Sequence, residues 1–144
     1  MTLLKREQIP VVGLDFMNHD HAAAAEQINQ LDQLIRQTQK GDKASQQQIE
    51  PLLKEIYAHS KHHFAHEEAE MIRVSFPAYE CHKGEHERVL EELTQILLQW
   101  QKNQNSELLN DFLKTTLCHW LVNHISTMDN VTAMFVGRYD HSVA

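Results

Sequence analysis

Histidines and carboxylates recur in this chain in pairs spaced by about one helical turn. His63 and Glu67 are four positions apart, and so are His82 and His86. An α-helix turns about 100° per residue, so positions four apart sit nearly above one another on one face. Each pair can therefore present two donors to a single point. His124 and Asp129 are five apart, a poorer match to one face, and that carboxylate is expected to reach sideways. A single further candidate, His21, stands well upstream. Imidazole is the commonest metal ligand, and eleven histidines in 144 residues is a high count. The chemistry these types and spacings offer is metal binding.

The pairs can act together only if the chain brings them to one level. Glycine and proline are scarce, four and three, which favours long helices over a many-turned β fold. Breaks fall at 40–45 (KGDKAS), 74–79 (VSFPAY) and 102–107 (KNQNSE). Four segments remain. The first runs from Asn18, a residue type suited to the N-cap, to about Lys40. The second starts at Pro51, which suits a first turn, or at Ser45 with a kink at the proline, and ends near Val74. The third spans 79–103 and carries Gly84 inside it. The fourth runs from Ser106, a candidate N-cap, to about Val136. Apolar residues repeat at helical spacing in each, as with Val89, Leu93, Ile96 and Trp100 in the third. The expected fold is all-α, an up-down-up-down antiparallel four-helix bundle with an N-terminal arm. Residues 1–144 make one domain, with the arm at 1–14 and the bundle at about 15–136.

In antiparallel helices the turn falls midway between residues of equal height. The midpoint of His21 and the His63/Glu67 pair is near residue 43. That of His63/Glu67 and His82/His86 is near 74 or 75, and that of His82/His86 and His124/Asp129 is near 105. All three land on the breaks, so seven candidate ligands lie in one layer. Five imidazoles and two carboxylates exceed one tetrahedral zinc and are too rich in nitrogen for calcium or magnesium. Two octahedral irons bridged by carboxylates could use all seven, and pairs of manganese, copper or zinc are chemically open as well.

The stretches HHFAHEE, HKGEH and WLVNHISTMD resemble the signature of the hemerythrins and bacterial hemerythrin-like proteins: a lone His, then His-x3-Glu, His-x3-His and His-x4-Asp in that order. The resemblance covers the chain from about Asp15 to Val136. It implies a non-haem centre of two iron ions with oxygen-atom bridging. His82, His86 and His124 would ligate one iron, and His21 and His63 the other, which keeps one position open. Glu67 and Asp129 would bridge both. In the family the open position binds O2, so the implied function is reversible O2 binding for carriage, storage or delivery, without catalysis. Trp120, Leu121 and Ile125 would line the pocket and keep water out. The first histidine is where the pattern departs: NHDH stands in place of the Asp-x-Gln-His usual in bacterial relatives, and His19 competes with His21. The spacing to Ile28 and Asn29 favours His21. Two other functions compete: an O2, redox or iron sensor acting through a partner protein, and a di-iron oxidase or peroxidase. Enzymes of that kind favour more carboxylates and fewer histidines.

The remaining features read more plainly. A net charge of -7 with no basic run argues against nucleic acid and anionic membranes as partners. No apolar stretch approaches the roughly 18 residues of a spanning helix, and the charged start MTLLKREQIP is unlike a signal peptide, so a cytoplasmic protein is expected. His59, one turn before His63, reads as a neighbour of the ligands or a solvated residue. Glu68 and Glu70 read as surface charges, Cys81 as a small buried side chain, and His141 as part of a solvated tail. Cys81 and Cys118 lie on the order of 16 Å apart in height, beyond a disulfide's reach.

Overall fold

Capping and turn chemistry set where the helices begin and end. The computed structural model describes residues 2–141, the side chains of Asp140 and His141 excepted, so Met1, residues 142–144 and the expected solvation of His141 lie outside it. Helix α1 spans Asp15–Gln39, starting before the expected cap. Asn18 is instead inside the helix, where its side chain accepts from Val12 N–H at 2.9 Å and donates to Val12 O at 2.8 Å. Asn29 does the same to Leu4, at 2.8 and 3.0 Å. Each amide pairs with both backbone groups of one arm residue, as a neighbouring strand would. The arm is thereby pinned along α1, with Leu4 and Val12 buried.

Gly41 (φ 94) takes the left-handed position after α1, where glycine carries no Cβ penalty. Helix α2 spans Lys43–Arg73. Asp42 caps it by accepting from Ala44 N–H at 3.1 Å and from the Ser45 hydroxyl at 2.9 Å. Pro51 therefore lies inside the helix rather than at its start. It leaves the carbonyl of Gln47 without its helical donor, and Gln47 is exposed, so water can serve it. Helix α3 spans Tyr79–Asn103, as expected. Gln104 turns left-handed (φ 46) and its N–H returns to Trp100 O at 2.9 Å. Asn105, not Ser106, caps the fourth helix by accepting from Glu107 and Leu108 N–H, both at 3.1 Å.

The fourth helix, α4, is one rod over residues 106–141, but its winding changes along it. Regular α turns at Ser106–Asp111, Cys118–His124 and Asn130–His141 are separated by wider π turns at Phe112–Leu117 and Ile125–Asp129. The four helices form an all-α bundle, with no strand among the described residues. Helix α1 packs on α2, α2 on α3, and α4 against α1 and α3. Links this short favour antiparallel neighbours.

Two apolar clusters frame the layer between them. The larger gathers Leu31, Ile35, Ile49, Ile56, Leu93, Trp100 and Leu113. The smaller gathers Met71, Val74, Phe76 and Val136 near the other end. On α2 the candidate ligands His63 and Glu67 fall between Ile56 and Met71, and on α4 His124 and Asp129 fall between Leu117 and Val136. The polar layer is thus held by apolar packing on both sides. No described helix is long and apolar enough to cross a membrane.

Candidate metal centre

All seven residues singled out by spacing meet in this layer, and all are buried. They form two groups of converging donor atoms. One holds Glu67, His82, His86, His124 and Asp129; the other holds His21, His63, Glu67 and Asp129. The two carboxylates belong to both groups, and each divides its oxygens between them. Glu67 Oε1 lies 3.1 Å from His86 Nε2, while Oε2 lies 3.1 Å from His63 Nε2. Asp129 Oδ1 lies 3.0 Å from His82 Nε2 and 3.1 Å from His124 Nε2, while Oδ2 lies 2.9 Å from His21 Nε2. His19 is exposed and belongs to neither group.

The five-residue step on α4 is accommodated by the backbone, not by a sideways reach of the carboxylate. In a regular α-helix five steps would carry Asp129 about 140° away from His124. The π turn at Ile125–Asp129 closes i→i+5 bonds and returns Asp129 to the face of His124. Local side chains favour the wider turn. Thr127 and Ser126 both donate their hydroxyls to Asn123 O, at 2.7 and 3.1 Å, giving that carbonyl partners.

Three of the imidazoles are held from behind. His63 Nδ1 bonds Asp20 Oδ2 at 2.7 Å, His86 Nδ1 bonds Glu68 Oε2 at 2.9 Å, and His82 Nδ1 bonds Thr132 Oγ1 at 2.8 Å. Such partners fix ring orientation and tautomer and raise ligand basicity. Glu68 is therefore a support for His86 rather than a free surface charge. Asp20 and Thr132 carried no signal in the sequence beyond their place one residue before His21 and three after Asp129. Two faces are covered by stacking: Trp120 on His124 (4.4 Å between centroids, 15°) and Phe64 on His86 (4.0 Å, 4°). Trp120 Nε1 donates to Glu85 Oε1 at 2.8 Å. The Arg88 guanidinium, with a smaller share from that indole N–H, holds the Glu85 carboxyl at about 2.

Burial and proximity set the charges. Burial alone pushes the His63 imidazole down, but the Glu67 carboxylate 3.1 Å away, then the bonded Asp20 and the nearby Asp129, overcome it and lift it to about 9. Burial raises Glu67 and Asp129, and their imidazole partners more than reverse this, so both lie below the usual carboxylate range. Burial holds His124 below its ordinary value.

The donor set fits a pair of transition-metal ions. Both Glu67 oxygens, His86 Nε2 and His21 Nε2 are buried without a properly aligned hydrogen bond, which is costly unless something else satisfies them. The Nε2 atoms of His82 and His124 lie 3.1 Å apart beside the same carboxylate oxygen, more nitrogen than shared protons would draw together. Donors at right angles around an ion with bonds of about 2.1 Å would lie about 3.0 Å apart, close to the spacings of 2.9 to 3.1 Å seen here.

A cavity of about 30 Å³ adjoins His21, His63, His124 and Asp129. Leu121 and Trp120 are on its wall, with Ile28, Phe64, Leu93 and Leu117. Ile125 is not; it is wholly buried in the larger apolar cluster. His59 and Ser60 add a polar edge. His62, His66 and His119 are exposed, the second stacked on Phe16. Cys81 is exposed rather than buried, and both cysteines are free.

Comparison with known proteins agrees with this geometry. The family model for the Hemerythrin HHE cation binding domain matches residues 12–136. The chain is 31% identical to a bacteriohemerythrin of Aquifex aeolicus over 135 residues, 94% of this chain and 98% of that protein. It is 29% identical to one from Stenotrophomonas maltophilia, covering 92% of this chain and 81% of the relative, and 26% identical to one from Pseudomonas paraeruginosa, covering 92% and 78%. No solved structure matches the chain.

Proposed function

The chain belongs to the hemerythrin family, and from that premise we propose that it is a non-haem di-iron protein that binds O2 reversibly, for carriage, storage or delivery. The observation that carries the proposal is the division of Glu67 and Asp129 between a three-histidine and a two-histidine group. His82, His86 and His124 would hold one iron, and His21 and His63 the other, with both carboxylates spanning the pair. The three-histidine side has one more protein donor, which leaves the two-histidine side with room for a ligand. When bound, the pair would supply the electrons that O2 takes up.

The chain supplies the rest. Asp20, Glu68 and Thr132 hold three imidazoles in the ring orientation that turns Nε2 to the centre. Trp120, Leu121, Phe64 and Leu117 keep the cavity apolar, which excludes the water and protons that favour irreversible oxidation. Five imidazoles against two carboxylates argue for binding over substrate oxidation, since di-iron enzymes of bundle type carry more carboxylates. We assign residues 15–136 and the arm at 1–14 to one domain, working in the cytoplasm, where two free thiols are at home. Air admitted to the reduced, iron-loaded protein should raise near-ultraviolet and visible charge-transfer bands, and removing oxygen should abolish them. A protein that stays colourless and iron-free after expression with ample iron would refute the proposal.

A further inference from the structure

Access to the two-histidine side is controlled, we propose, by His59, whose imidazole latches α2 to α1 at the mouth of the cavity and so selects small ligands by size. This rests on the di-iron reading above. The cavity, about 30 Å³, has room for a water or a diatomic molecule and little more. Most of its wall is buried. Only Ala24, His59, Ser60 and Trp120 are half-buried, so a path to solvent must pass among these four.

They differ in freedom to move. Trp120 is held three ways: stacked on His124, edge-on to Phe64 at 5.9 Å, and bonded to Glu85. Ala24 and Ser60 have too little side chain to open or close anything. His59 is long enough, and its polar tether is one bond, from Nε2–H to Asp20 O at 3.2 Å. That carbonyl lies one turn before Ala24 on α1, so the bond ties the opposite lips of the mouth together. The ring lies parallel to His63 at 6.5 Å, and both residues line the cavity. Half-exposed, His59 can exchange the carbonyl for water and swing away at small cost, on the time scale of side-chain rotation. A diatomic molecule passes with the latch barely displaced. A linear triatomic anion requires it open, and a longer, heavier one requires it open wider.

The test uses the oxidised, iron-loaded protein, with azide and thiocyanate as probes and stopped-flow absorbance of the anion-to-iron band as readout. His59→Ala should raise azide association and dissociation rates together, severalfold, with equilibrium affinity and iron content unchanged. Thiocyanate should gain by a larger factor. His59→Gln keeps an N–H for Asp20 O and should stay near the parent rates. Equal acceleration in both directions marks a gate, whereas a role in holding iron would change affinity or metal content. Parent-like rates in His59→Ala overturn the proposal. Should His59→Ala fail to hold iron, Ala24→Val narrows the same mouth from the other lip and should slow azide entry; unchanged rates there overturn it as well. Azide binding needs only an oxidised iron pair, so the measurement stands even if reversible O2 binding fails.

Discussion

Replacing Asp20 with asparagine should weaken one metal position and largely spare the other. Asp20 Oδ2 lies 2.7 Å from His63 Nδ1, and its side chain is 21% exposed, so solvent screens it little. Asparagine keeps the shape but offers a neutral acceptor. A hydrogen bond to a charged group contributes about 1.5–3 kcal/mol and a neutral one about 0.5–1.5. The difference, about 1–2 kcal/mol, is roughly 5- to 30-fold in affinity, overlapping the 10- to 100-fold common for outer partners of metal-bound histidine. His63 belongs only to the two-histidine group, so the loss falls there. In a chelator titration with metal counted per chain, the variant should pause at one ion where the parent still holds two. Glu68→Gln removes the matching support of His86, 2.9 Å away and also 21% exposed, and should weaken the three-histidine position instead. If Asp20→Asn released both ions in a single step at the parent's chelator concentration, the link between this support and one metal position would be wrong.

Three further outcomes follow from the same geometry. Without metal, His63 keeps its proton up to about 9. Its raised value adds stability below the unfolded value of 6.5, and that contribution is lost as pH rises through about 9. Metal must displace this proton, so loading at neutral pH should release it, and apparent affinity should climb with pH to about 9 and then level; calorimetry in buffers of different ionisation enthalpy measures the release, and a flat profile would contradict the assignment. Gly84 is exposed within α3, and a Cβ there would meet nothing within 4 Å. Gly84→Ala should therefore stabilise by about 1 kcal/mol and raise the melting temperature by about 3 °C, with a lower melting point counting against it. Burial pushes the Cys118 thiol up to about 11, while Cys81 is exposed, so a thiol reagent near neutral pH should label Cys81 quickly and Cys118 only on unfolding; two fast labels would show that α4 is looser than described.

The four helices were legible because scarce glycine and proline leave few places to turn, and because each ligand pair repeats at the period of the helix that carries it. The level of the layer was legible from midpoints alone. The helix starts were read less well: asparagine and serine stand side by side at 105 and 106 and either suits a cap, while Asn18 looks like a cap yet works as a clamp on the arm. Asp20 and Glu68 were hidden for a different reason. A single carboxylate in a helix crowded with charge looks solvated, and only the neighbouring helix reveals that it backs an imidazole. The His-x4-Asp spacing did carry a signal, but the pattern alone does not say whether a side chain stretches or a turn widens.

That wider turn has a bearing on how such a centre can be altered. A residue inserted into a regular α-helix rotates everything beyond it by about 100°, turning buried contacts outward. At Ile125–Asp129 the surplus residue is absorbed within one loop of winding. The rod from Asn130 onward keeps its azimuth, and Thr132, Ala133 and Val136 still face inward. Donor spacing on this helix can thus be edited by one position, in evolution or in the laboratory, while the far end of the bundle keeps its register.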